Sequence, residues 1–117
     1  MAEGTIAQPM AASGGFVTVA RAAEIAPGSV RVVELDGRSL CLGLTEDGEW
    51  GAIDNVCTHD GGVLGEGELD DTGVECPRHG GRFDLFSGRV LSLPPVRPVR
   101  AYAARQMGDE VQVEIPE

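Results

Sequence analysis

The sequence lacks several features, and each absence narrows the class of protein. It contains no lysine, and its nine arginines stand against 19 acidic residues, for a net charge of −10. Such an acidic chain repels nucleic acid and anionic membranes, and a basic protein is its natural partner. We see no apolar run long enough to cross a bilayer and no secretory signal at the start. We therefore expect a cytoplasmic protein that binds neither nucleic acid nor membrane.

Cysteine and histidine are also scarce, with three and two residues respectively. A small, odd number of cysteines argues against a fold stapled by disulfides. In the cytoplasm thiols stay reduced, so these cysteines are free to bind metal. Cys41 lies within an apolar stretch, and we expect it to be a buried free thiol that packs as a small hydrophobic residue.

What the chain has in excess is turn-forming residues, with 17 Gly and 7 Pro among 117 residues. This composition favours a β-rich fold with tight turns. Two β-type runs, 30–35 and 39–44, flank the dipeptide Asp36-Gly37, which is a strong hairpin signal. One helical turn is predicted at 21–26. Further strands are predicted over 16–19, 50–56, 73–75, 82–86, 99–106 and 110–115.

Short strands separated by turn signals predict an all-β, antiparallel sandwich or barrel. Residues 1–15 are rich in Ala, Gly and Ser and show no periodicity, so we expect a flexible tail there. Residues 16–117 are expected to form one domain, because the chain has the length of a single domain and contains no repeat.

Each histidine lies close to a cysteine in a short glycine-rich segment. The first segment is C-T-H-D-G-G, with Cys57 and His59, and the second is C-P-R-H-G-G, with Cys76 and His79. One thiolate and one imidazole per segment suit an iron–sulfur cluster or zinc. Glycine lets the backbone approach an inorganic core closely. These residues alone leave both metals open, although zinc ribbons and fingers usually show C-x-x-C pairs, which are absent here.

The extended segments C-T-H-D-G-G-V-L-G-E-G and C-P-R-H-G-G-R-F-D resemble the two cluster-binding loops of the Rieske family. The stretch L-P-P-V-R-P-V-R-A-Y over 93–102 is similar to the proline-containing loop of Rieske-type ferredoxins, which covers one side of the cluster. The likeness spans roughly residues 16–115. It implies an all-β Rieske fold, with a basal sandwich or barrel part and a small cluster-binding part over about 56–90.

The resemblance also implies one 2Fe–2S cluster and its ligands. Cys57 and Cys76 would hold one iron, and His59 and His79 the other, because two histidines replace two cysteines on a single iron in Rieske centres. Respiratory-chain members carry an additional disulfide and two hydroxyl side chains near the cluster. Gly62 and Arg78 match the disulfide positions, and Gly81 and Phe83 match the hydroxyl positions. The resemblance therefore implies a reduction potential in the low part of the Rieske range, which is roughly −150 to +300 mV.

By this resemblance the protein is a one-electron carrier between a flavin-dependent ferredoxin reductase and a terminal oxygenase, such as a ring-hydroxylating dioxygenase. No catalytic residue is predicted, because no histidine is left for a mononuclear iron site. The first alternative is a Rieske protein of another redox system, either a nitrite-reductase small subunit or a ferredoxin that works with iron–sulfur assembly. The second, of another class, is a zinc-stabilised interaction module.

Two charged features lie around the second segment. The acidic residues between the segments form either a solvated face or a docking surface for a basic partner; they are Glu66, Glu68, Asp70 and Asp71. We expect Arg78 to be exposed and Arg82 to pair with an acidic neighbour such as Asp84.

Overall fold

The computed structural model describes residues 15–57, 62–78, 80–93 and 97–114. Within these ranges the chain forms two short 3-10 helices, Ala22–Glu24 and Leu64–Glu66, and neither could span a membrane. The rest of the regular structure is β-strand, which confirms the predicted all-β class. In chain order the strands are β1 (Phe16–Arg21), β2 (Ser29–Leu35), β3 (Arg38–Leu44), β4 (Trp50–Asp54), β5 (Glu68–Asp70), β6 (Gly73–Glu75), β7 (Arg82–Asp84), β8 (Val90–Ser92), β9 (Ala101–Tyr102), β10 (Ala104–Met107) and β11 (Glu110–Glu114).

The strands form three sheets in which every pairing is antiparallel. The first sheet has three strands in the order β1-β11-β10, and the second has four in the order β2-β3-β4-β9. The third sheet has four short strands in the order β5-β6-β7-β8. The predicted hairpin of β2 and β3 is confirmed, and Asp36 (φ 51°) and Gly37 (φ 81°) form its turn. Two successive residues with positive φ match the twist of the flanking strands.

The predicted strand over 99–106 is wrong, because the chain changes sheet inside it. Tyr102 in β9 pairs with Ala52 of β4, whereas Ala104 in β10 pairs with Val113 of β11. Ala103 lies between the two strands, and its carbonyl accepts the Glu114 N–H at 2.9 Å. The alternation of side chains continues across this break, so the sequence pattern does not reveal it.

The second sheet is buried on both faces and separates two hydrophobic cores. Successive residues of a strand point to opposite faces, so Leu40 and Leu42 of β3 belong to one core and Cys41 to the other. The basal core lies between the first and second sheets. The second core lies between the second and third sheets, and its buried residues are Cys41, Ile53, Cys57, Leu64, Val74, Cys76, Phe83, Leu85 and Val99.

Candidate metal centre

Cys57 and Cys76 are brought into the same second core by strands of two different sheets. Cys57 follows β4 of the second sheet, and Cys76 follows β6 of the third. Their exposed fractions are only 2% and 1%. Both side chains therefore face the protein interior. A group bound by the two thiolates would be shielded from bulk water where it contacts the second core.

The two cysteines begin loops that close in the same way. The Cys57 N–H donates to the Gly62 carbonyl at 2.8 Å, and the Cys76 N–H donates to the Gly81 carbonyl at 2.7 Å. We call residues 57–62 the first loop and residues 76–81 the second loop. In each loop this hydrogen bond joins the first and last residues and spans the four residues between them. The cysteine thus takes the equivalent position in both loops.

The chain beyond each loop is paired differently. The first loop is flanked by one isolated bridge between Val56 and Val63. The second loop is flanked by the pair Glu75 and Arg82, where the continuous ladder of β6 and β7 begins. The two loops therefore share their closure but differ in the backbone pairing that supports them.

His59 and His79 lie outside the described residues, as do residues 58, 60, 61 and 94–96. Within the described ranges no three His, Cys, Asp or Glu side chains come together as a metal site. The structure thus places the two predicted thiolate ligands, and the two predicted imidazole ligands stay a prediction. Leu93, the first residue of the proline-containing stretch, is 71% exposed.

The described half of the site fits an iron–sulfur cluster by its chemistry. Two buried cysteines occupy matching loop positions, and soft thiolates are the ligands that iron in such clusters prefers. Cys41 differs, because it lies within β3 and in neither loop. It is fully buried, and burial raises the pKa of its thiol to about 12. The predicted burial of Cys41 is confirmed, and at neutral pH its side chain is a packed thiol.

Hydroxyl side chains are missing where the resemblance placed cluster-facing donors. Gly81 is buried at the end of the second loop, and Phe83 is fully buried in β7. Phe83 belongs to the same core as Cys57 and Cys76.

Arg82 pairs with an acidic neighbour, as predicted, but that neighbour is Asp70 and not the suggested Asp84. The Arg82 Nη2 donates to the Asp70 carbonyl at 2.8 Å and lies 3.9 Å from Asp70 Oδ2. The Asp84 carboxylate instead accepts the N–H groups of Phe86 at 3.1 Å and Ser87 at 2.8 Å. Burial opposes the ionisation of Asp84, but these hydrogen bonds and those from the Ser87 and Thr72 side chains outweigh it, so the pKa of Asp84 is lowered. Arg78 is exposed, as predicted.

An acidic cleft of about 270 Å³ adjoins the second loop. It is lined by Glu66, Gly67, Glu68, Glu75 and Pro77. The acidic residues predicted between the segments are all exposed, and the cleft adds Glu75, which the sequence reasoning did not single out. Glu75 lies opposite Glu68 because β5 pairs with β6. No local sequence pattern predicts this register, so the sequence did not indicate that Glu75 belongs to the cleft.

A family comparison identifies these loops. The profile of the Rieske [2Fe-2S] domain matches residues 15–103, which include both loops. The chain belongs to the Rieske family. Membership in this family means that the chain carries an iron–sulfur cluster.

Relatives of this Rieske protein include ferredoxins of oxygenase systems. The ferredoxin component of the naphthalene 1,2-dioxygenase system of Pseudomonas aeruginosa is 37% identical over 92 residues, which cover 79% of this chain and 88% of the relative. The ferredoxin of carbazole 1,9a-dioxygenase from Nocardioides aromaticivorans IC177 has a TM-score of 0.80 at 35% identity and covers 87% of this chain and 98% of that one.

A second kind of relative serves another redox system. A protein assigned as the NADH-dependent nitrite reductase small subunit of Mycobacterium tuberculosis has a TM-score of 0.80 at 27% identity, covering 89% of this chain and 97% of that one. The similarity to ferredoxin components identifies this chain as an electron carrier that acts with a partner enzyme.

Proposed function

We propose that the protein is the ferredoxin component of a ring-hydroxylating oxygenase system. It would take single electrons from a flavin-dependent ferredoxin reductase and pass them to a terminal oxygenase. The observation that carries this proposal is the pair of loops that close in the same way, each beginning with a buried cysteine, Cys57 or Cys76. The chain that contains them is 37% identical to a naphthalene dioxygenase ferredoxin component.

One 2Fe–2S cluster per chain is proposed, with Cys57 and Cys76 on one iron and His59 and His79 on the other. When bound by two thiolates and two imidazoles, such a cluster accepts and releases one electron. The equivalent loop positions of the two cysteines support a shared role. The presence of one histidine in each loop supports the imidazole pair.

The same proposal includes the division of the chain. Residues 16–117 would form the Rieske domain, and residues 56–90 would form its cluster-binding part. The predicted flexible tail at 1–15 lies, apart from Gly15, outside the described residues. Both loops and the first three strands of the third sheet lie within 56–90. The separate second core supports this division, because it packs those strands against the second sheet.

The side chains near the loops favour a low potential for this carrier. Hydrogen bonds to cluster sulfur stabilise the reduced state and raise the potential. Phe83 is fully buried and has no hydroxyl, and Gly81 has no side chain at all. A low potential suits donation to an oxygenase.

Anaerobic purification followed by metal analysis tests the proposal. We expect about two irons and two sulfides per chain and a Rieske-type paramagnetic signal after reduction. The loaded protein should also support turnover when mixed with a ferredoxin reductase and the terminal oxygenase of a naphthalene dioxygenase system. Stoichiometric zinc without sulfide would contradict the proposal and favour the zinc-stabilised interaction module.

A nitrite-reductase small subunit is the second candidate, favoured by the TM-score of 0.80 to the mycobacterial protein. The two candidates differ in partner, so the genes adjacent to this one provide a simple test. Oxygenase and reductase genes would support the first candidate, and a large nitrite-reductase subunit would support the second.

A further inference from the structure

Asn55 occupies a junction between the basal part of the fold and the first loop. It follows the last residue of β4 and precedes Cys57 by two positions. Its backbone N–H donates to the Ser39 carbonyl at 3.1 Å, and its side-chain Nδ2 donates to the Ser39 hydroxyl at 2.9 Å. Asn55 is therefore doubly tied to β3 of the second sheet.

The other end of the same side chain reaches across the first loop. The Gly65 N–H donates to Asn55 Oδ1 at 2.6 Å. Gly65 lies in the 3-10 helix that follows the loop, where an early N–H has no acceptor within the helix. An N–H can only donate, so the oxygen of the Asn55 amide must face Gly65.

Close approach of the chain makes this contact possible. A Cβ at Gly65 would lie 2.9 Å from Asn55 Oδ1 and 2.5 Å from Val32 Cγ2, so a larger residue would separate the segments. The neighbouring Leu64 is fully buried in the second core. The segment leaving the first loop is thus held by one buried side chain and by Asn55.

The first loop has particular need of such a tie. Among the described residues its flanking pairing is a single bridge, Val56 with Val63, whereas the second loop continues into the ladder of β6 and β7. Asn55 and Gly65 lie just outside that bridge, one on each side of the loop. Their hydrogen bond connects the two ends in addition to the bridge and to the hydrogen bond from the Cys57 N–H to the Gly62 carbonyl.

We infer that Asn55 is a positioning residue for the iron–sulfur site. It holds the two ends of the first loop together and fixes them to β3, and so it maintains the position of Cys57. The inference rests on the proposed role of Cys57 as a cluster ligand. Loss of one hydrogen bond at the strong end of the usual net range changes the ratio of open to closed loop by about tenfold.

Iron release from the loaded protein to a ferrous chelator measures this effect. Asn55→Ser is polar but too short to reach the Gly65 N–H, and we expect it to release iron about tenfold faster than the wild type. Asn55→Asp keeps an acceptor for Gly65 and should restore a rate within about threefold of the wild type. The paramagnetic spectrum of the reduced protein should change in Asn55→Ser and be retained in Asn55→Asp.

Thr18→Val is the matched control. It also removes one side-chain hydrogen bond, from the Thr18 hydroxyl to Glu110 at 2.8 Å, but in the first sheet. It should release iron at the wild-type rate, whereas a rate equal to that of Asn55→Ser would show a general effect of stability and overturn the inference. Wild-type release from Asn55→Ser, or equally fast release from Asn55→Asp, would also overturn it.

Ser39→Ala provides a second test of the inference if the Asn55→Ser protein does not fold. It removes the hydroxyl partner of Asn55 and should accelerate iron release about threefold, and an unchanged rate would contradict the inference. Failure of the proposed function looks different, because the wild-type protein itself would then contain no iron and sulfide.

Discussion

The first and second loops present equivalent cysteines but depend on different neighbours. Each loop closes through a hydrogen bond from its cysteine N–H to a glycine carbonyl. The second loop lies at the end of two paired strands. The two ends of the first loop are held together by one bridge and by Asn55, which also bonds to β3. The comparison teaches that two cysteines can hold equivalent positions with different support. A ladder of backbone hydrogen bonds supports the second loop, and the side-chain amide of Asn55 supports the first.

The largest effect is expected from substitution of the cysteine in either loop, which tests whether both cysteines are required to bind the cluster. Cys57→Ser and Cys76→Ser should each prevent stable cluster assembly, because a hard hydroxyl replaces a soft thiolate. Metal analysis should find less than about a tenth of the wild-type iron in either variant. Cys41→Ser is the control and should keep the visible spectrum, and bleaching by that substitution would show that the ligand assignment is wrong.

Cys41 provides a contrast with the two loop cysteines, because it lies in the same second core but belongs to neither loop. Burial raises its pKa from 9.0 to about 12, so its contribution to stability is fully present below pH 9 and is lost as the pH rises towards 12. The free energy of unfolding at pH 10.5 should be lower than at pH 8 by about 2 kcal/mol from this group. Urea unfolding of the wild type and Cys41→Ala measures it, and an equal pH dependence in both proteins would contradict the prediction.

The acidic surface between the loops offers a test of which side meets a partner. Electron transfer to the oxygenase should slow by about tenfold as salt rises, because opposite charges steer the encounter. Neutralising Glu66, Glu68, Asp70 and Asp71 together should remove most of this dependence. A matched variant that neutralises the basal residues Glu34, Glu46, Asp47 and Glu49 should retain it. Equal loss in both variants would assign the effect to net charge alone, and a rate independent of salt would indicate apolar docking.

The smallest expected effect concerns the strand that follows the second loop. Phe83→Tyr, alone or with Gly81→Ser, should raise the reduction potential if the new hydroxyl reaches sulfur. A hydrogen bond worth about 1 kcal/mol corresponds to roughly 40 mV for one electron. Phe86→Tyr is the control, since Phe86 is 38% exposed in the turn after β7. Voltammetry should show no shift for the control, and a wild-type potential near the top of the Rieske range would refute the low-potential prediction.

Local chemistry was readable from the sequence alone. The hairpin turn at Asp36-Gly37 and the strand at Gly73–Glu75 depend on neighbouring residues, and both were predicted. The two Cys–His segments were equally readable, because each contains its two candidate ligands within four residues. The family match to residues 15–103 confirms the family that these segments indicated.

Contacts between distant segments were decided only by the tertiary structure. Arg82 of β7 contacts Asp70 of β5 because these two strands lie on either side of β6. The Asp84 carboxylate instead accepts a backbone hydrogen bond from Ser87 in the turn that follows β7. Asn55 meets Gly65 because the chain returns past β4 after the first loop. Strand register and sheet order set such contacts, and a one-residue slip would reverse which face each side chain occupies. The sequence by itself therefore determined the turns and the candidate ligands, because both depend on neighbouring residues, while the tertiary structure decided which residues support each loop.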